Sequence, residues 1–350
     1  MGPQAPSAAG PRRTDTDAAS AAPGLAAVGL IAAAAWLVGG YVPLIGAAVL
    51  ALGGGLVLRS VVTAAALRPG VDFTLKRLLR LAIILFGATL SLAQVATIGA
   101  GSLVIVLVTI VLALSLTYVF GRWLHAPSGL VSLIGVGTAI CGATAILTVG
   151  PIIESKEEEI AFAVTTIFLF NMLAVVIYPL LGHLLALSDA AYGVWAGSAV
   201  HDTSSVLAAS YAFSEPAGRV ATVVKLSRTL MLVPLALLFG LAHSYAQSRV
   251  GGASARAGFA RVHLAKIFPW FILWFVAAAM LNTAGVFGPS LGTVSSVIGR
   301  FLVVMVMAAV GLSADLRRMR QIGLRPLYIG LFSSVLIALA SLALIRAVMP

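Results

Sequence analysis

Long apolar segments follow one another through most of this 350-residue chain. Segments of about 17 to 25 predominantly apolar residues are long enough to cross the hydrocarbon core of a bilayer as helices. We therefore predict that the protein is an all-α polytopic membrane protein with about 11 transmembrane helices. The predicted spans are 24–40, 43–58, 81–98, 101–120, 129–150, 160–182, 191–211, 219–243, 267–284, 293–313 and 327–347.

The composition agrees with this class and excludes others. Apolar residues make up 61% of the chain and charged residues 9%, which leaves no stretch for a separate soluble domain. The formal net charge of +11 could indicate a nucleic acid partner. However, the basic residues lie in short gaps between apolar segments and are not interleaved with aromatic residues. We therefore predict a lipid bilayer as partner and no nucleic acid.

Most of the 22 lysine and arginine residues fall in alternate gaps between the predicted spans. Basic residues are enriched in cytoplasmic loops, so we predict a multi-pass protein of the plasma or inner membrane with a cytoplasmic N terminus. This orientation places the acidic stretch 154–159 on the outer side. Residues 1–22, rich in Pro, Ala, Gly and Ser, are predicted to be a disordered cytoplasmic tail. Residues 24–347 are predicted to form one transmembrane transporter domain.

Charged residues interrupt two neighbouring apolar segments in the middle of the chain. Ionisable groups at membrane depth are costly, so they usually have a function. The residues concerned are His201 and Asp202 in segment 191–211, and Lys225 and Arg228 in segment 219–243. If these segments form an antiparallel hairpin, Asp202 and Arg228 both lie at a depth of about 14 Å and can face each other.

This hairpin contains more positive than negative charge. Lys225 and Arg228 are opposed by one carboxylate, Asp202, and the hydroxyl groups of Ser204 and Ser205 lie close to it along the chain. Surplus positive charge in a low dielectric favours a small inorganic or organic anion as substrate. The alternative is a buried ion pair that only fixes helix packing, which gives no role to the second cation.

The fifth predicted span contains an unusual run of small residues at 135–146. One interpretation is close helix packing. The other is a broken helix that lines a cavity and directs its N–H dipoles at an anion. The second interpretation adds four residues to the predicted substrate-binding set, namely Gly137, Thr138, Gly142 and Thr144.

The tenth predicted span also contains small residues, at 307–315. It comes five spans after the fifth, and an odd offset reverses direction across the membrane. Helices two to six and seven to eleven, at about 43–182 and 191–347, are therefore predicted to form inverted five-helix repeats.

Three segments of the chain resemble one protein family. They are Gly135-Val-Gly-Thr-Ala-Ile-Cys-Gly-Ala-Thr-Ala-Ile146, His201-Asp-Thr-Ser-Ser-Val206 and Val224-Lys-Leu-Ser-Arg-Thr-Leu-Met-Leu-Val-Pro234. Over about residues 24–347 the chain resembles the YeiH-type, or sulfate exporter, family of bacterial inner-membrane proteins. More distantly it is similar to the bile acid/arsenite/riboflavin transporters and to cation:proton antiporters.

This resemblance implies a panel domain and a core domain that holds two crossed, broken helices. Helices five and ten would be the crossed pair, and helices two, three, seven and eight the panel. The anion site would lie between them, lined by His201, Asp202, Lys225 and Arg228 on one side and by residues 137–144 on the other. The family often has Glu at the position of Asp202, so the substrate is not implied by the resemblance alone.

Three functions are compatible with these features. The first is secondary active export of a small oxyanion, such as sulfate or an organosulfonate, by alternating access, with His201 and Asp202 as proton-coupling groups. The second is a proton- or sodium-coupled cation antiporter in which Asp202 binds the ion. The third is a membrane-embedded enzyme or sensor that uses Cys141 or His201. We expect the first, with no enzymatic activity, metal or cofactor, and the features are compatible with a homodimer.

Overall fold

The computed structural model describes residues 16–41, 46–62, 66–248, 267–315, 319 and 323–348. Six helices in this part of the chain are long and apolar enough to cross a bilayer: Ser20–Gly39, Leu92–Trp123, Glu157–Leu184, Glu215–Tyr245, Ser290–Ser313 and Leu324–Val348. The prediction of an all-α polytopic membrane protein is confirmed.

The helices follow one another with short connections. In chain order they are α1 (Thr16–Gly39), α2 (Gly46–Val61), α3 (Arg68–Phe73), a π-helical turn (Thr74–Leu78), α4 (Leu79–Gly87), α5 (Leu92–Trp123), α6 (Ser128–Ala139), α7 (Ala143–Ile152), α8 (Glu157–Leu184), α9 (Asp189–Ala199), α10 (Thr203–Phe213), α11 (Glu215–Leu230), α12 (Leu232–Ser248), α13 (Phe271–Thr283), α14 (Pro289–Ser313) and α15 (Leu324–Val348). Side-chain caps fix several starts. Ser91 accepts a hydrogen bond from Gln94 N at the start of α5, and Ser188 caps α9.

The fifth predicted span folds back on itself as a re-entrant hairpin, hairpin 1, formed by α6 and α7. A Cβ placed on Gly129, near the start of α6, would lie 3.1 Å from the Ser155 hydroxyl beyond the end of α7. A Cβ on Gly137 would lie 2.7 Å from Ile146 Cδ1. In a straight helix, Gly129 and Ser155 would be about 39 Å apart. The chain reverses at Gly142, whose φ of 65° is a conformation that favours glycine.

The seventh predicted span is a second re-entrant hairpin, hairpin 2, formed by α9 and α10. Tyr192 near the start of α9 stacks on Phe213 at the end of α10, with ring centroids 3.9 Å apart. Ser214 Oγ donates to Asp189 Oδ1 at 2.5 Å, although a straight helix would separate these residues by about 37 Å. Both ends of hairpin 2 therefore lie at one face of the helix bundle.

Two of the eleven predicted spans thus enter the bundle without crossing it. α8 is the helix that joins the two hairpins, and its 28 residues extend over about 42 Å. Because α8 crosses the bundle, hairpin 1 and hairpin 2 enter from opposite faces. Because predicted spans five and seven both fail to cross, the helices after span seven cross the bundle in the same direction as predicted.

Contacts between the ends of neighbouring helices define the first of these faces. We call it the basic face, and it carries His125 and Arg325. Arg325 Nη1 donates to the His125 carbonyl at 3.4 Å, and hairpin 1 begins and ends here. His243 Nε2 near the end of α12 lies 3.5 Å from Glu154 Oε2. The acidic stretch 154–159 therefore lies at the basic face. The prediction that it lies on the other side is wrong, because hairpin 1 returns to the face from which it entered.

The opposite face carries the other ends of the crossing helices. Leu92 N at the start of α5 donates to Thr283 Oγ1 at the end of α13, at 2.8 Å. Ser296 Oγ of α14 donates to Glu215 Oε1 at the start of α11, also at 2.8 Å. Hairpin 2 enters from this face.

The tenth predicted span is one continuous helix, α14. The expectation that spans five and ten form the broken pair is therefore wrong, and the second break lies in span seven. The small residues of α14 serve close packing instead. A Cβ on Gly311 would lie 2.3 Å from the Leu52 carbonyl of α2, and a Cβ on Gly55 of α2 would lie 2.3 Å from the Ala308 carbonyl. The inverted repeats at 43–182 and 191–347 stay a prediction.

The helices pack as two groups. The first group contains α1 to α4, α13 and α14, and the second contains α5 to α12 and α15. α10 of hairpin 2 packs against α2 and α14 where the groups meet. Helices two and three of the expected panel lie in the first group. Helices seven and eight do not, because hairpin 2 and α11 pack with hairpin 1.

The predicted N-terminal tail is only partly described. Residues 1–15 lie outside the described residues, whereas α1 begins at Thr16. Residues 16–22 are thus helical, and Ala21 is buried because α1 packs against α3 at the basic face. A Cβ on Gly70 of α3 would lie 2.4 Å from the Ala21 carbonyl.

Candidate functional site

The tips of the two hairpins meet inside the bundle, and this junction is the candidate site. A Cβ on Gly142 at the tip of hairpin 1 would lie 3.5 Å from Asp202 Cβ at the tip of hairpin 2. Asn171, at the middle of α8, lies against both tips. Its Oδ1 accepts a hydrogen bond from Asp202 N at 3.1 Å, and its Nδ2 lies 3.5 Å from the same Gly142 Cβ position. The site is therefore at mid-depth.

Lys225 of α11 joins the two tips. Its Nζ donates to the carbonyls of Ile140 at 2.7 Å and Val200 at 2.9 Å, and also to that of His201. A protonated lysine has three N–H donors, so all of them are used by protein carbonyls. The side chain is fully buried.

Arg228 follows Lys225 by three residues, so both side chains lie on the same face of α11. Its Nε donates to the Ala139 carbonyl at 2.6 Å and its Nη1 to the Val200 carbonyl at 3.2 Å. Its Nη2 donates to the Thr138 carbonyl. This side chain is also fully buried.

These acceptors are the last carbonyls of α6 and α9 and of their tips. The final carbonyls of a helix have no partner within the helix and carry the negative end of its dipole. Lys225 and Arg228 therefore neutralise two half-helix C termini that end far from water. The sequence analysis predicted the position of the two cations but not these acceptors.

Asp202 does not pair with Arg228 as its spacing suggested. Its carboxylate caps α10 instead, with Oδ2 accepting from Ser204 N at 2.9 Å, from Ser204 Oγ and from Ser205 N at 3.4 Å. Ser204 and Ser205 are buried at the start of α10. An N-cap carboxylate satisfies N–H groups and opposes the positive end of the helix dipole. The sequence Asp-Thr-Ser-Ser therefore starts α10. Arg228 binds backbone carbonyls and not the Asp202 carboxylate.

The returning helix of hairpin 1 begins differently. α7 starts after Gly142 with no side-chain cap hydrogen bond. The Asp202 carboxylate lies close to this tip but caps α10. Thr144 lies in the first turn of α7 and is exposed. Thr138 is buried in the last turn of α6, and its Oγ1 has no hydrogen-bond partner among the described residues. Gly137 is buried against Ile146 and lies away from the gap between the tips.

The His201 side chain contacts α15. Its Nε2 lies 2.8 Å from Ser334 Oγ of α15. Both residues line an apolar cavity of about 390 Å³ between α8, α9 and α15, together with Tyr178 and Trp195. The two residues predicted to couple protons, His201 and Asp202, are thus adjacent in the chain but have different surroundings.

Two members of this site, Asn171 and Ser334, are not in the predicted set of site residues. Asn171 is noticeable only as an amide within an apolar segment, and Ser334 follows Ser333 in another. Serine hydroxyls in membrane helices often bond to their own helix. Nothing in the sequence shows that Ser334 contacts His201.

Two cavities lie near the opposite face and do not reach Lys225 or Arg228. One, of about 590 Å³, lies between α4, α11, α13 and α14 and is called the polar vestibule. The other, of about 340 Å³, lies between α1, α2, α10 and α14 and is called the inner cavity. Arg300 lines both cavities. Neither Lys225 nor Arg228 lines either of these cavities.

Membrane-crossing helices, two re-entrant hairpins and a buried cluster of charge together define a polytopic helical membrane protein. The family model described as conserved hypothetical protein 698 matches residues 23–330. A UPF0324 membrane protein of Clostridium tetani (strain Massachusetts / E88) is 37% identical over 308 residues, which cover 85% of this chain and 88% of the relative. A UPF0324 membrane protein of Streptococcus pneumoniae (strain ATCC BAA-255 / R6) is 38% identical over 332 residues, covering 92% and 95%.

The chain therefore belongs to the UPF0324 family of membrane proteins. This is the YeiH-type family that its three motifs resemble, so the predicted family is confirmed. No solved structure matches the chain.

Proposed function

We propose that this protein is a secondary active transporter that exports a small oxyanion, such as sulfate or an organosulfonate, by alternating access. The observation that carries the proposal is the meeting of two re-entrant hairpins, from opposite faces, around two fully buried cations. Broken helices whose ends meet at mid-depth form the binding sites of many secondary transporters.

The charges at the tips favour an anion over a cation. Lys225 and Arg228 bring two positive charges to the junction, and Asp202 brings one negative charge that is already held by the start of α10. A sodium ion or proton bound at Asp202 would compete with these hydrogen bonds. The same geometry therefore gives less support to a cation antiporter.

The start of α7 is the place at which we expect the anion to bind. Helix N termini bind anions because their first N–H groups and the helix dipole both favour negative charge. The unpaired Thr138 hydroxyl and the exposed Thr144 hydroxyl are the side-chain donors nearest to this end in the sequence. Lys225 and Arg228 would act on the anion through their charge, since their N–H groups bind carbonyls.

Alternating access requires two bodies that can move relative to each other. The two groups of helices supply such bodies, with hairpins 1 and 2 and α11 in the second group. Movement of the second group past α2 and α14 would carry the hairpin tips from one side to the other.

The test is transport by purified protein in liposomes. We expect uptake of labelled sulfate or of a labelled organosulfonate such as isethionate. Thr144→Val should reduce this uptake about tenfold or more, because a hydrogen bond to a charged group is lost. The matched control is Thr148→Val, one turn further along α7, whose hydroxyl bonds to the Thr144 carbonyl at 2.8 Å.

Two results would contradict the proposal. One is the absence of uptake of any sulfur oxyanion by folded wild-type protein under imposed anion and proton gradients. The other is equal reduction of uptake by Thr144→Val and Thr148→Val, which would remove the start of α7 from the mechanism. Sodium flux that is independent of anions and lost in Asp202→Asn would support the antiporter instead.

A further inference from the structure

The polar vestibule contains a second cluster of charge, well separated from the hairpin tips. Glu215 and Arg219 lie in the first turns of α11, and Arg300 lies on α14. Lys225 is ten residues further along α11 than Glu215, which corresponds to about 15 Å along the helix axis. We propose that Arg219 and Arg300 form an outer binding site for a small divalent oxyanion.

The contacts in this cluster leave positive charge in excess. Glu215 Oε1 lies 2.8 Å from Arg219 Nη2, and Glu215 Oε2 lies 3.6 Å from Arg300 Nη1. The same carboxylate also accepts a hydrogen bond from Ser296 Oγ at 2.8 Å. One carboxylate therefore serves two guanidinium groups, and the cluster has a net charge of +1.

The guanidinium groups also have donors to spare. Each arginine has five N–H donors in a planar fork that matches oxyanion geometry. Among the described residues, the Arg219 side chain donates to Glu215 alone. Arg300 approaches Glu215 at a distance longer than a hydrogen bond. Both guanidinium groups therefore keep terminal N–H donors that Glu215 does not use.

The surroundings fit an oxyanion. The vestibule has a volume of about 590 Å³ and is also lined by Thr89, Asn282 and Ser296. Both arginine side chains are about one third exposed, with a fractional exposure of 36% each. They are therefore accessible from the opposite face but partly shielded from bulk water. Charges in such a partly buried position are screened less by salt than exposed charges.

Arg300 also links the vestibule to the inner cavity. Its guanidinium carbon lies 5.8 Å from the Trp36 ring centroid, on the side of the inner cavity. Its Nη1 lies 3.6 Å from Glu215 Oε2, on the side of the vestibule. An oxyanion bound by both arginines would compete with Glu215 for Arg300. It would thereby weaken a link between α11 and α14, which belong to different groups of helices.

The choice of a divalent oxyanion rests on the proposed function, but binding can be measured without transport. Purified full-length protein in detergent is titrated with sodium sulfate by calorimetry, with sodium chloride at equal ionic strength as reference. We expect the dissociation constant to rise at least about tenfold in Arg300→Gln and in Arg219→Gln. It should fall in Glu215→Gln, which removes the competing carboxylate.

Arg346→Gln is the matched control, because Arg346 is an exposed arginine in the last turn of α15. It should leave sulfate binding unchanged. Trp36 fluorescence gives a second measurement: sulfate should change the emission of wild-type protein, and Trp36→Phe should remove most of that change. Thr144→Val should retain the fluorescence response, since it alters only the start of α7.

The outcomes separate this site from the proposed function. Sulfate binding that depends on the two arginines, without oxyanion transport in liposomes, would retain the outer site and reject the transporter. Oxyanion transport with binding and KM unchanged in the Arg219→Gln, Arg300→Gln double variant would reject the outer site. A response to chloride equal to the response to sulfate would also overturn it.

Discussion

The Lys225 ammonium and the Arg228 guanidinium share one acceptor, the Val200 carbonyl oxygen, at 2.9 and 3.2 Å. Each cation also binds carbonyls at the end of α6 or in the tip of hairpin 1. Two residues one turn apart on α11 therefore hold both hairpin tips. The cations thus help to maintain the site in addition to supplying its charge.

This arrangement predicts a large cost for the loss of Lys225. Lys225→Met would leave the buried carbonyls of Ile140 and His201 without this donor, whereas the Val200 carbonyl keeps Arg228. Each unsatisfied buried group costs about 1–3 kcal/mol. We expect a reduction in stability on the order of 3 kcal/mol or more, measured by thermal unfolding in detergent. Lys76→Met, at an exposed lysine, is the control and should have little effect. Equal stability of the two variants would contradict the observed contacts.

The re-entrant hairpins predict an unusual topology that cysteine labelling can test. In a background where Cys141 is replaced by Ala, Lys156→Cys, at an exposed position just before α8, should react with an impermeant maleimide from the same side as His125→Cys. Ala186→Cys should react from the same side as Gly288→Cys. Labelling of Lys156→Cys and His125→Cys from opposite sides would mean that α6 and α7 cross the membrane as one span.

The contact between α2 and α14 predicts that glycine is required at position 311. Gly311→Val would place a side chain within 2.3 Å of the Leu52 carbonyl, so the helices must separate. Overpacking of this kind costs on the order of 1–3 kcal/mol, and the melting temperature should fall. Gly53→Ala is the matched control on α2, because a Cβ there meets nothing within 4 Å. The close packing would be refuted if both variants melted like wild type.

Proton coupling through His201 predicts a change in the pH dependence of transport. His201→Gln should remove the stimulation of oxyanion uptake by a proton gradient while leaving exchange of oxyanions between the two sides. Ser334→Ala removes the hydroxyl 2.8 Å from Nε2 and should shift the pH profile. His243→Gln, at the basic face beside Glu154, is the control. An unaltered pH profile in both His201→Gln and Ser334→Ala would exclude this role.

The sequence predicts the charge cluster well because its residue types are rare at membrane depth. Lys225 and Arg228 are identifiable from their apolar surroundings alone. Their acceptors are not, because a backbone carbonyl occurs at every position and only the fold shows which carbonyls lose their helical partners. The sequence also does not show whether the Asp202 carboxylate caps a helix or pairs with Arg228, because both arrangements require the same residue type. The pairing with Arg228 is therefore predicted wrongly.

The sequence does not distinguish a hairpin from a span. α6 and α7 contain 12 and 10 residues, and together they have the length and hydropathy of a single membrane-crossing helix. Gly142 marks the reversal only once its φ is known. For α14 the sequence analysis predicts a break where the helix is continuous. In a sequence, glycines that permit close contact between two helices cannot be told from glycines that interrupt a helix.

α11 carries charged residues at both of its ends. Glu215 and Arg219 lie in its first turns, and Lys225 and Arg228 lie two to three turns further along, within one helix of 16 residues. If an oxyanion released Arg300 from Glu215, a shift of the start of α11 would also move Lys225 and Arg228, and with them the carbonyls of both hairpin tips. The proposed outer site and the junction would then be coupled through one helix.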